Sequence, residues 1–179
     1  NYTDSPIEGV LNSVNHKDTY KNATSRKFKL ELYEFFKDKN LKNILELGCC
    51  KGDTTKVLSL ISKKVNAFDL LSENVEDAKN KCMGLYNIVF EVKDINTEWN
   101  YNTPDLVYLD ALHDYNGISI FKSNDPNGVG FYKNLRRIDI VGIPVIIHIN
   151  KSYAALDKKV KMDRDRKAFD SKLQATFFS

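Results

Sequence analysis

The segment 43–55, NILELGCCKGDTT, places the strongest constraint on how this chain can fold. Residues 44–47 are apolar apart from Glu46, which predicts a short buried strand. Gly48 and Gly52 follow and permit a tight turn with close approach of the main chain to a ligand. A helix is expected next, and free N–H groups at its start favour an anionic group such as a carboxylate. The segment therefore predicts a strand, a ligand-binding turn and a helix.

Further strands alternate with helices along the chain, which predicts an α/β fold. The expected strands are 44–47, 65–69, 88–92, 105–110 and 145–149, and the expected helices are about 54–62, 72–81 and 131–138. This alternation predicts a mostly parallel sheet with helices on both faces and right-handed crossovers. Ligands of such sheets bind beyond the carboxyl ends of the strands. Acidic residues lie at four of these ends: Glu46, Asp69, Asp94 and Asp110.

The flanking segments carry weaker patterns. We expect residues 1–24 to form an N-terminal arm with one short helix. Thr24 or Ser25 can cap the next helix, in which Phe28, Leu32, Phe35 and Phe36 recur at helical spacing and predict a core-facing side. The alternative for these aromatic residues is a lid over a ligand. Lys63 and Lys64 are expected at the C-terminus of the helix 54–62, where cations are favourable.

Composition predicts one globular domain that spans residues 1–179. The net charge of +3 does not favour a nucleic-acid partner, and no apolar run is long enough to cross a membrane. Three cysteines do not make a disulfide framework, and together with the absence of a signal-like N-terminus they predict a cytoplasmic protein. Cys49 and Cys50 are expected to be small residues at the turn rather than metal or redox groups.

The turn does not match either common phosphate-binding pattern. There is no G-x-x-x-x-G-K-[ST], and Cys50 replaces the second glycine of G-x-G-x-x-G. A nucleoside ligand without a pyrophosphate therefore fits better. Asp69 is expected to accept bonds from the ribose hydroxyls, and Asp94 from an adenine amino group. Taken singly, each of these acids is equally well explained as a helix N-cap.

The ordered series Glu46-Leu47-Gly48-x-x-x-Gly52-x-Thr54-Thr55, then Asp69, then Asp94, resembles class I S-adenosylmethionine-dependent methyltransferases over residues 41–115. The resemblance implies a Rossmann-like fold with S-adenosylmethionine as the cofactor. The residues that it assigns to cofactor binding are Glu46, Gly48, Lys51, Gly52, Thr54, Asp69 and Asp94. Only 29 residues follow Asn150, so we expect a shortened C-terminal end of this fold.

A second motif, Asp110-Ala-Leu-His113-Asp-Tyr115, is similar to the Asp-x-x-His-x-Tyr signature of small-molecule O-methyltransferases, including macrocin-type sugar methyltransferases. The resemblance implies that Asp110 binds a divalent cation, usually Mg²⁺, and that His113 is the general base. A neutral histidine can accept the proton of an acceptor hydroxyl. Without the motif, His113 would be interpreted as a structural histidine bonded within its loop. Tyr115 and His148 are expected to contact the acceptor.

The end of the last predicted strand departs from this pattern. Metal-dependent relatives carry His-Asp there, whereas this chain has His148-Ile149-Asn150. Isoleucine cannot bind a cation, so the expected Mg²⁺ site lacks one ligand.

The sequence predicts an S-adenosylmethionine-dependent methyltransferase acting on a hydroxyl of a small molecule, with a sugar as the expected acceptor. Two alternatives remain open. One is a non-catalytic S-adenosylmethionine-binding or interaction module. The other is a methyltransferase acting on nucleic acid or protein, although the Asn/Asp-Pro-Pro-aromatic signature for base amino groups is absent.

Overall fold

The computed structural model describes residues 5–20, 23–94 and 104–110, together with the main chain of two later strands, 144–148 and 174–178. The helices in this part of the chain are α1 (Pro6–Ser13), α2 (Arg26–Phe36), α3 (Asp53–Ile61) and α4 (Ser72–Lys81). The strands are β1 (Leu41–Leu47), β2 (Ser62–Asp69), β3 (Ile88–Val92), β4 (Leu106–Leu109), β5 (Pro144–His148) and β6 (Gln174–Phe178).

The six strands form one sheet in the order β3-β2-β1-β4-β5-β6, and each neighbouring pair is parallel. The predicted α/β fold with a parallel sheet is therefore confirmed. The strands β2 and β3 lie on one side of β1 and the later strands on the other, so the strand order reverses at β1. Leu47 pairs with Phe68 of β2 and with Leu109 of β4. This register brings Asp69 and Asp110 to the same edge of the sheet as the turn after β1.

The central strands β1, β2 and β4 are buried on both faces where they pair with one another, as expected for parallel strands. Ile44, Val65, Leu106 and other side chains of one face pack in a cluster with α1, α2 and α3. Side chains of the opposite face are also inaccessible to solvent. They are Leu45, Leu47, Phe68, Val107 and Leu109.

The N-terminal segment belongs to the core. In α1, Ile7, Val10 and Leu11 are buried in the same cluster as α2 and α3. The short helix expected in the arm is therefore present, and its apolar residues form one packed side. The expected cap of α2 is also present, because the side chain of Ser25 accepts a hydrogen bond of 3.0 Å from the N–H group of Phe28.

The buried side of α2 differs from the prediction at one position. Phe28, Leu32 and Phe36 face the core, but Phe35 is 64% exposed, so its predicted inward position is wrong. Lys29 is buried instead. At 3.6 residues per turn, the stripe from Phe28 through Leu32 and Phe36 to Lys29 covers about 100° of the helix circumference. Phe35 lies about 20° outside that stripe, on the side opposite Lys29, and therefore faces solvent.

The junction between α3 and β2 also corrects a prediction. α3 ends at Ile61 and β2 begins at Ser62 without an intervening turn, so Lys63 and Lys64 are exposed strand residues. Ser62 has extended backbone angles, and its hydroxyl donates to the Leu58 carbonyl at 3.1 Å. That bond satisfies one of the helix's terminal carbonyls, which would otherwise need a capping turn.

Several other predicted bounds are confirmed or adjusted. α4 and β3 have the predicted limits, and Gly84, with a φ of +88°, follows the end of α4. β1 begins earlier than predicted, and β5 ends one residue earlier, with Pro144 as its first residue. The predicted helix 131–138 lies outside the described residues. None of the helices that the structure describes is both long and apolar enough to cross a membrane.

Gly52 and Gly84 provide a matched test of the packing between α3 and α4. Both have positive φ, +82° and +88°, but a Cβ at Gly52 would lie 3.0 Å from the Cα and Cβ of Ala78, whereas nothing lies within 4 Å at Gly84. We expect Gly84→Ala to lower the free energy of unfolding by about 1–2 kcal/mol, the cost of the left-handed conformation. Gly52→Ala should lower it by about 2–5 kcal/mol, because overpacking adds to that cost. Equilibrium denaturation in urea measures both, and equal losses would contradict the close contact with α4.

Candidate functional site

The turn between β1 and α3 is held by the end of β2. The Phe68 carbonyl accepts hydrogen bonds from the N–H groups of Gly48 and Cys49, at 2.9 and 2.8 Å. The Asp69 carboxylate accepts a third, at 2.9 Å, from the N–H group of Cys50. Gly48 has a φ of +94°, which explains why a glycine is needed where the chain leaves β1.

Cys50 adopts a conformation that usually favours glycine. Its φ is +46°, in the left-handed region, and its bond to Asp69 holds it there. The three thiols of the chain are free, and Cys49 and Cys82 are buried. Burial raises the pKa of the Cys49 and Cys50 thiols above its usual range, and that of Cys82 to about 12. These thiols are therefore protonated at neutral pH in the ligand-free chain.

An open cleft of about 320 Å³, part of it solvent, lies beside the turn. Five of the predicted site residues line it together: Glu46, Gly48, Lys51, Thr54 and Asp110. The other lining residues are Tyr20, Ala23, Thr24, Cys49, Cys50 and Asp53. The structure thus brings the acid of β1, the turn, the start of α3 and the residue after β4 into one site.

Glu46 is the buried acid of this cleft. Its side chain is 1% exposed, and its carboxylate accepts a hydrogen bond of 2.7 Å from the Thr55 hydroxyl. Desolvation raises the pKa of Glu46 to about 8, although the bond from Thr55 lowers it, and the nearby carboxylates of Asp110 and Asp69 raise it further. Glu46 is therefore mostly protonated at neutral pH in the ligand-free chain.

Tyr108 is a polar neighbour of Glu46 that sequence reasoning missed. The two residues are register partners on adjacent strands, so their side chains share one face of the sheet. Tyr108 is fully buried, and its hydroxyl lies near the Thr54 and Asp110 side chains without a hydrogen bond of ordinary geometry to any described residue. Burial raises its pKa well above the usual value, and Asp110 is close enough to raise it further. The sequence carried a signal that Tyr108 faces the site. It lies two residues before Asp110, and alternate residues of a strand share one face of the sheet.

Asp69 joins two parts of the site. One carboxylate oxygen accepts from Cys50 in the turn, while the other accepts from the N–H group of Leu71 and the Asn74 side chain, both at 3.0 Å. Asp69 therefore positions the starts of both α3 and α4. Leu70 and Leu71 follow it and are 66% and 49% exposed. Two leucines directly after a strand-ending acid were a usable signal of an apolar surface at this edge, and sequence reasoning missed it.

Gly52 is the N-cap of α3 and carries no capping side chain. Asp53, the first residue of the helix, is buried and forms an ion pair with Lys81 of α4. It also accepts a hydrogen bond of 2.9 Å from the N–H group of Asn15. The start of α3 is thus fixed to α4 on one side and to the N-terminal segment on the other.

The connection between α1 and α2, residues 14–20 and 23–25, is here called the roof. It contributes Tyr20, Ala23 and Thr24 to the lining of the cleft. The hydroxyls of Thr24 and Thr54 lie 3.4 Å apart, and the ammonium group of Lys51 lies 5.0 Å from the centre of the Tyr20 ring. The roof therefore reaches the turn and α3 through direct contacts.

The remaining predicted residues are not brought into this cleft by the described structure. Asp94 is exposed and follows β3, so β2 lies between it and β1. His113 and Tyr115 lie outside the described residues. His148 ends β5, and only its main chain is described. Among the described residues, no three His, Cys, Asp or Glu side chains group together as a metal site would require.

The fold resembles solved structures of methyltransferases. One is tRNA (m1A58) methyltransferase TrmI from Aquifex aeolicus, with 15% identity, 68% of this chain and 49% of that chain covered, and a TM-score of 0.50. Another is a SAM-dependent O-methyltransferase from Thermotoga maritima, with 20% identity, coverages of 64% and 44%, and a TM-score of 0.46. The likeness to the Aquifex aeolicus structure establishes the fold alone. The chain spans about half the length of these structures.

A third solved structure is N-methyltransferase NodS from Bradyrhizobium japonicum in complex with S-adenosyl-l-homocysteine, with 18% identity, coverages of 59% and 56%, and a TM-score of 0.45. No curated protein matches the chain. The model of one protein family, described as Nodulation protein S (NodS), matches residues 18–112, just over half of the chain. The chain therefore belongs to the NodS family.

Proposed function

We propose that this chain is an S-adenosylmethionine-dependent methyltransferase and that the cofactor lies in the cleft beside the turn 48–52. Membership of the NodS family and the methyltransferase-like fold support this assignment. The solved NodS structure in complex with S-adenosyl-l-homocysteine supports the same cofactor. The chemistry that S-adenosylmethionine supplies is an electrophilic methyl group on a positively charged sulfur.

The observation that carries this proposal is the acidic character of the cleft. Glu46, Asp53 and Asp110 line it, and Lys51 is the single basic residue among the described lining residues, although Asp53 is already paired with Lys81 of α4. S-adenosylmethionine carries a sulfonium and an ammonium group, with one carboxylate. Glu46 is buried with the Thr55 hydroxyl as its hydrogen-bond donor, and a bound cation would further stabilise its ionised carboxylate, which fits a site that receives a cation.

Each part of the cofactor has a matching group in this chain. Glu46 would pair with the ammonium group, and Lys51 with the carboxylate beside the turn. Asp69 would accept bonds from the ribose hydroxyls, as its place at the end of β2 suggests. Leu70 offers an exposed apolar surface next to Asp69 for the nucleobase. Asp94 remains the proposed acceptor for the adenine amino group.

The proposed acceptor is a small molecule with a hydroxyl group, and a sugar is the expected class. This proposal rests on the motif Asp110-x-x-His113-x-Tyr115, in which His113 would accept the hydroxyl proton as the methyl group is transferred to the oxygen. Tyr115 and His148 are proposed to contact the acceptor. No step is assigned to Mg²⁺, because Asp110 is the single predicted ligand that the described residues place here.

An amine is the second candidate acceptor. NodS from Bradyrhizobium japonicum, a protein of the family to which this chain belongs, is an N-methyltransferase. Family membership therefore favours methyl transfer to nitrogen, whereas the motif that begins at Asp110 favours transfer to oxygen.

Replacing Asp69 tests the cofactor site. Asp69→Ala should weaken the binding of S-adenosylhomocysteine by about 1.5–3 kcal/mol, the range for hydrogen bonds to a charged group. Asp77→Ala, an exposed acid of α4, is the control and should leave affinity unchanged. Isothermal titration calorimetry measures both. Equal affinity of the Asp69 variant and the wild-type protein would contradict the position of the cofactor at the end of β2.

An acceptor panel tests the reaction. We expect methyl transfer from S-adenosylmethionine to sugar hydroxyls, and His113→Ala should reduce turnover by at least about a hundredfold while the affinity for S-adenosylhomocysteine is kept. If methyl groups are transferred only to the nitrogen of amino sugars, the acceptor is an amine and not a hydroxyl. Transfer to tRNA alone would favour the nucleic-acid alternative. Tight cofactor binding without turnover on any acceptor would favour the non-catalytic module.

A further inference from the structure

Lys29 lies near the start of α2 and is 0% exposed, which is unusual for a lysine. Fully buried lysines are rare, since moving an ammonium group out of water is costly unless it finds strong acceptors. The Nζ atom of Lys29 donates to the carbonyl of Asn15 at 2.9 Å and to the carbonyl of Thr24 at 2.8 Å. Both acceptors are main-chain groups of the roof.

These two bonds tie together the opposite ends of the roof. Asn15 follows α1 by two residues, and Thr24 precedes α2 by two residues. The Thr24 carbonyl also accepts from the N–H group of Lys17 at 3.1 Å, so it receives bonds from both the roof and α2. Lys29 therefore fixes both ends of the roof to α2, rather than one end alone.

The same loop is bound from the side of the cofactor turn. The N–H group of Asn15 donates to Asp53 at 2.9 Å, and Asp53 is paired with Lys81. Asn15 thus offers its carbonyl to Lys29 and its N–H group to the first residue of α3. A polar network of buried and partly buried groups runs from α2 through the roof to the start of α3.

Nearby carboxylates partly offset the cost of burying the Lys29 ammonium group. Burial lowers the pKa of Lys29 to about 8, whereas the carboxylates of Asp53 and Asp110 raise it and Lys81 lowers it. Asp18 of the roof also raises it. The ammonium form that persists at neutral pH has three donors, enough for both carbonyls.

We propose that Lys29 is a positioning residue for the cofactor site: its buried ammonium group holds the roof so that Tyr20, Ala23 and Thr24 stay against the cleft. The proposal rests on the proposed function, because it assigns the roof to the binding of S-adenosylmethionine. Lys29 itself does not line the cleft. It acts through the main chain of the roof, while Thr24 and Tyr20 face the cofactor.

The test compares Lys29→Met with Lys27→Met. Methionine keeps the apolar volume of lysine but removes the donors, and Lys27 is a neighbour on α2 whose side chain is 84% exposed. Two readouts are used: amide hydrogen exchange without ligand, and the dissociation constant of S-adenosylhomocysteine, both measured well below the unfolding temperature. We expect Lys29→Met to speed exchange at Asn15, Lys17 and Ala23 and to weaken binding, each by roughly tenfold or more. Lys27→Met should leave both readouts unchanged.

A purely structural lysine would give a different result. It would lower the unfolding temperature of Lys29→Met, but the folded protein would bind S-adenosylhomocysteine with wild-type affinity, and this result overturns the proposal. If Lys29→Met does not fold, Lys29→Gln, which retains an amide donor, takes its place with the same two readouts and the same criterion. Failure of the wild-type protein to bind S-adenosylhomocysteine contradicts the proposed function and the cofactor role of the roof. Hydrogen exchange in that case still reports whether Lys29 fixes the roof.

Discussion

The hold of β2 on the turn after β1 is the constraint on which the site depends. The Phe68 carbonyl and the Asp69 carboxylate together accept three N–H groups of the turn. Because β1 and β2 are parallel neighbours in a fixed register, this pairing sets where the chain leaves the sheet and where α3 begins. The position of α3 in turn sets Thr55 against Glu46 and Asp53 against the roof. Main-chain hydrogen bonding thus positions the acidic cleft before any ligand enters.

Two buried titratable groups have shifted pKa values: Glu46, which lines the cleft, and Lys29, which is bonded to the roof. The pKa of Glu46 is raised from 4.5 to about 8, so its contribution to stability is complete below pH 4.5 and is lost as the pH rises through 8. The pKa of Lys29 is lowered from 10.5 to about 8, so its contribution is complete above pH 10.5 and is lost as the pH falls through 8. At neutral pH the acid is mostly neutral and the lysine mostly charged. The charged Lys29 then donates to the carbonyls of the roof, while a bound cation would favour the ionised form of Glu46.

Much of the fold could be predicted from local pattern, and the site only in part. The strand–turn–helix unit, the Ser25 cap and the limits of α4 follow from short-range rules that tertiary contacts did not override. The burial of Lys29 and the exposure of Phe35 could not be predicted, because hydrophobicity ranks them in the opposite order and the acceptors of Lys29 are main-chain carbonyls, which no residue type marks in the sequence. Asp69 was identified as a site residue, but its bonds to the turn depend on the register of β1 and β2. The roles of His113, Tyr115 and His148 remain predictions from a motif.

The cleft is proposed to receive a cationic cofactor at Glu46. Calorimetric titration with S-adenosylmethionine at pH 7, in buffers of different ionisation enthalpy, measures the protons exchanged on binding. Because Glu46 is mostly protonated in the ligand-free chain and would ionise beside the ammonium group, wild-type protein should release about one proton per cofactor bound. Glu46→Gln should release none. Binding of S-adenosylmethionine without proton release by the wild-type protein, or with the same release by Glu46→Gln, would contradict the account.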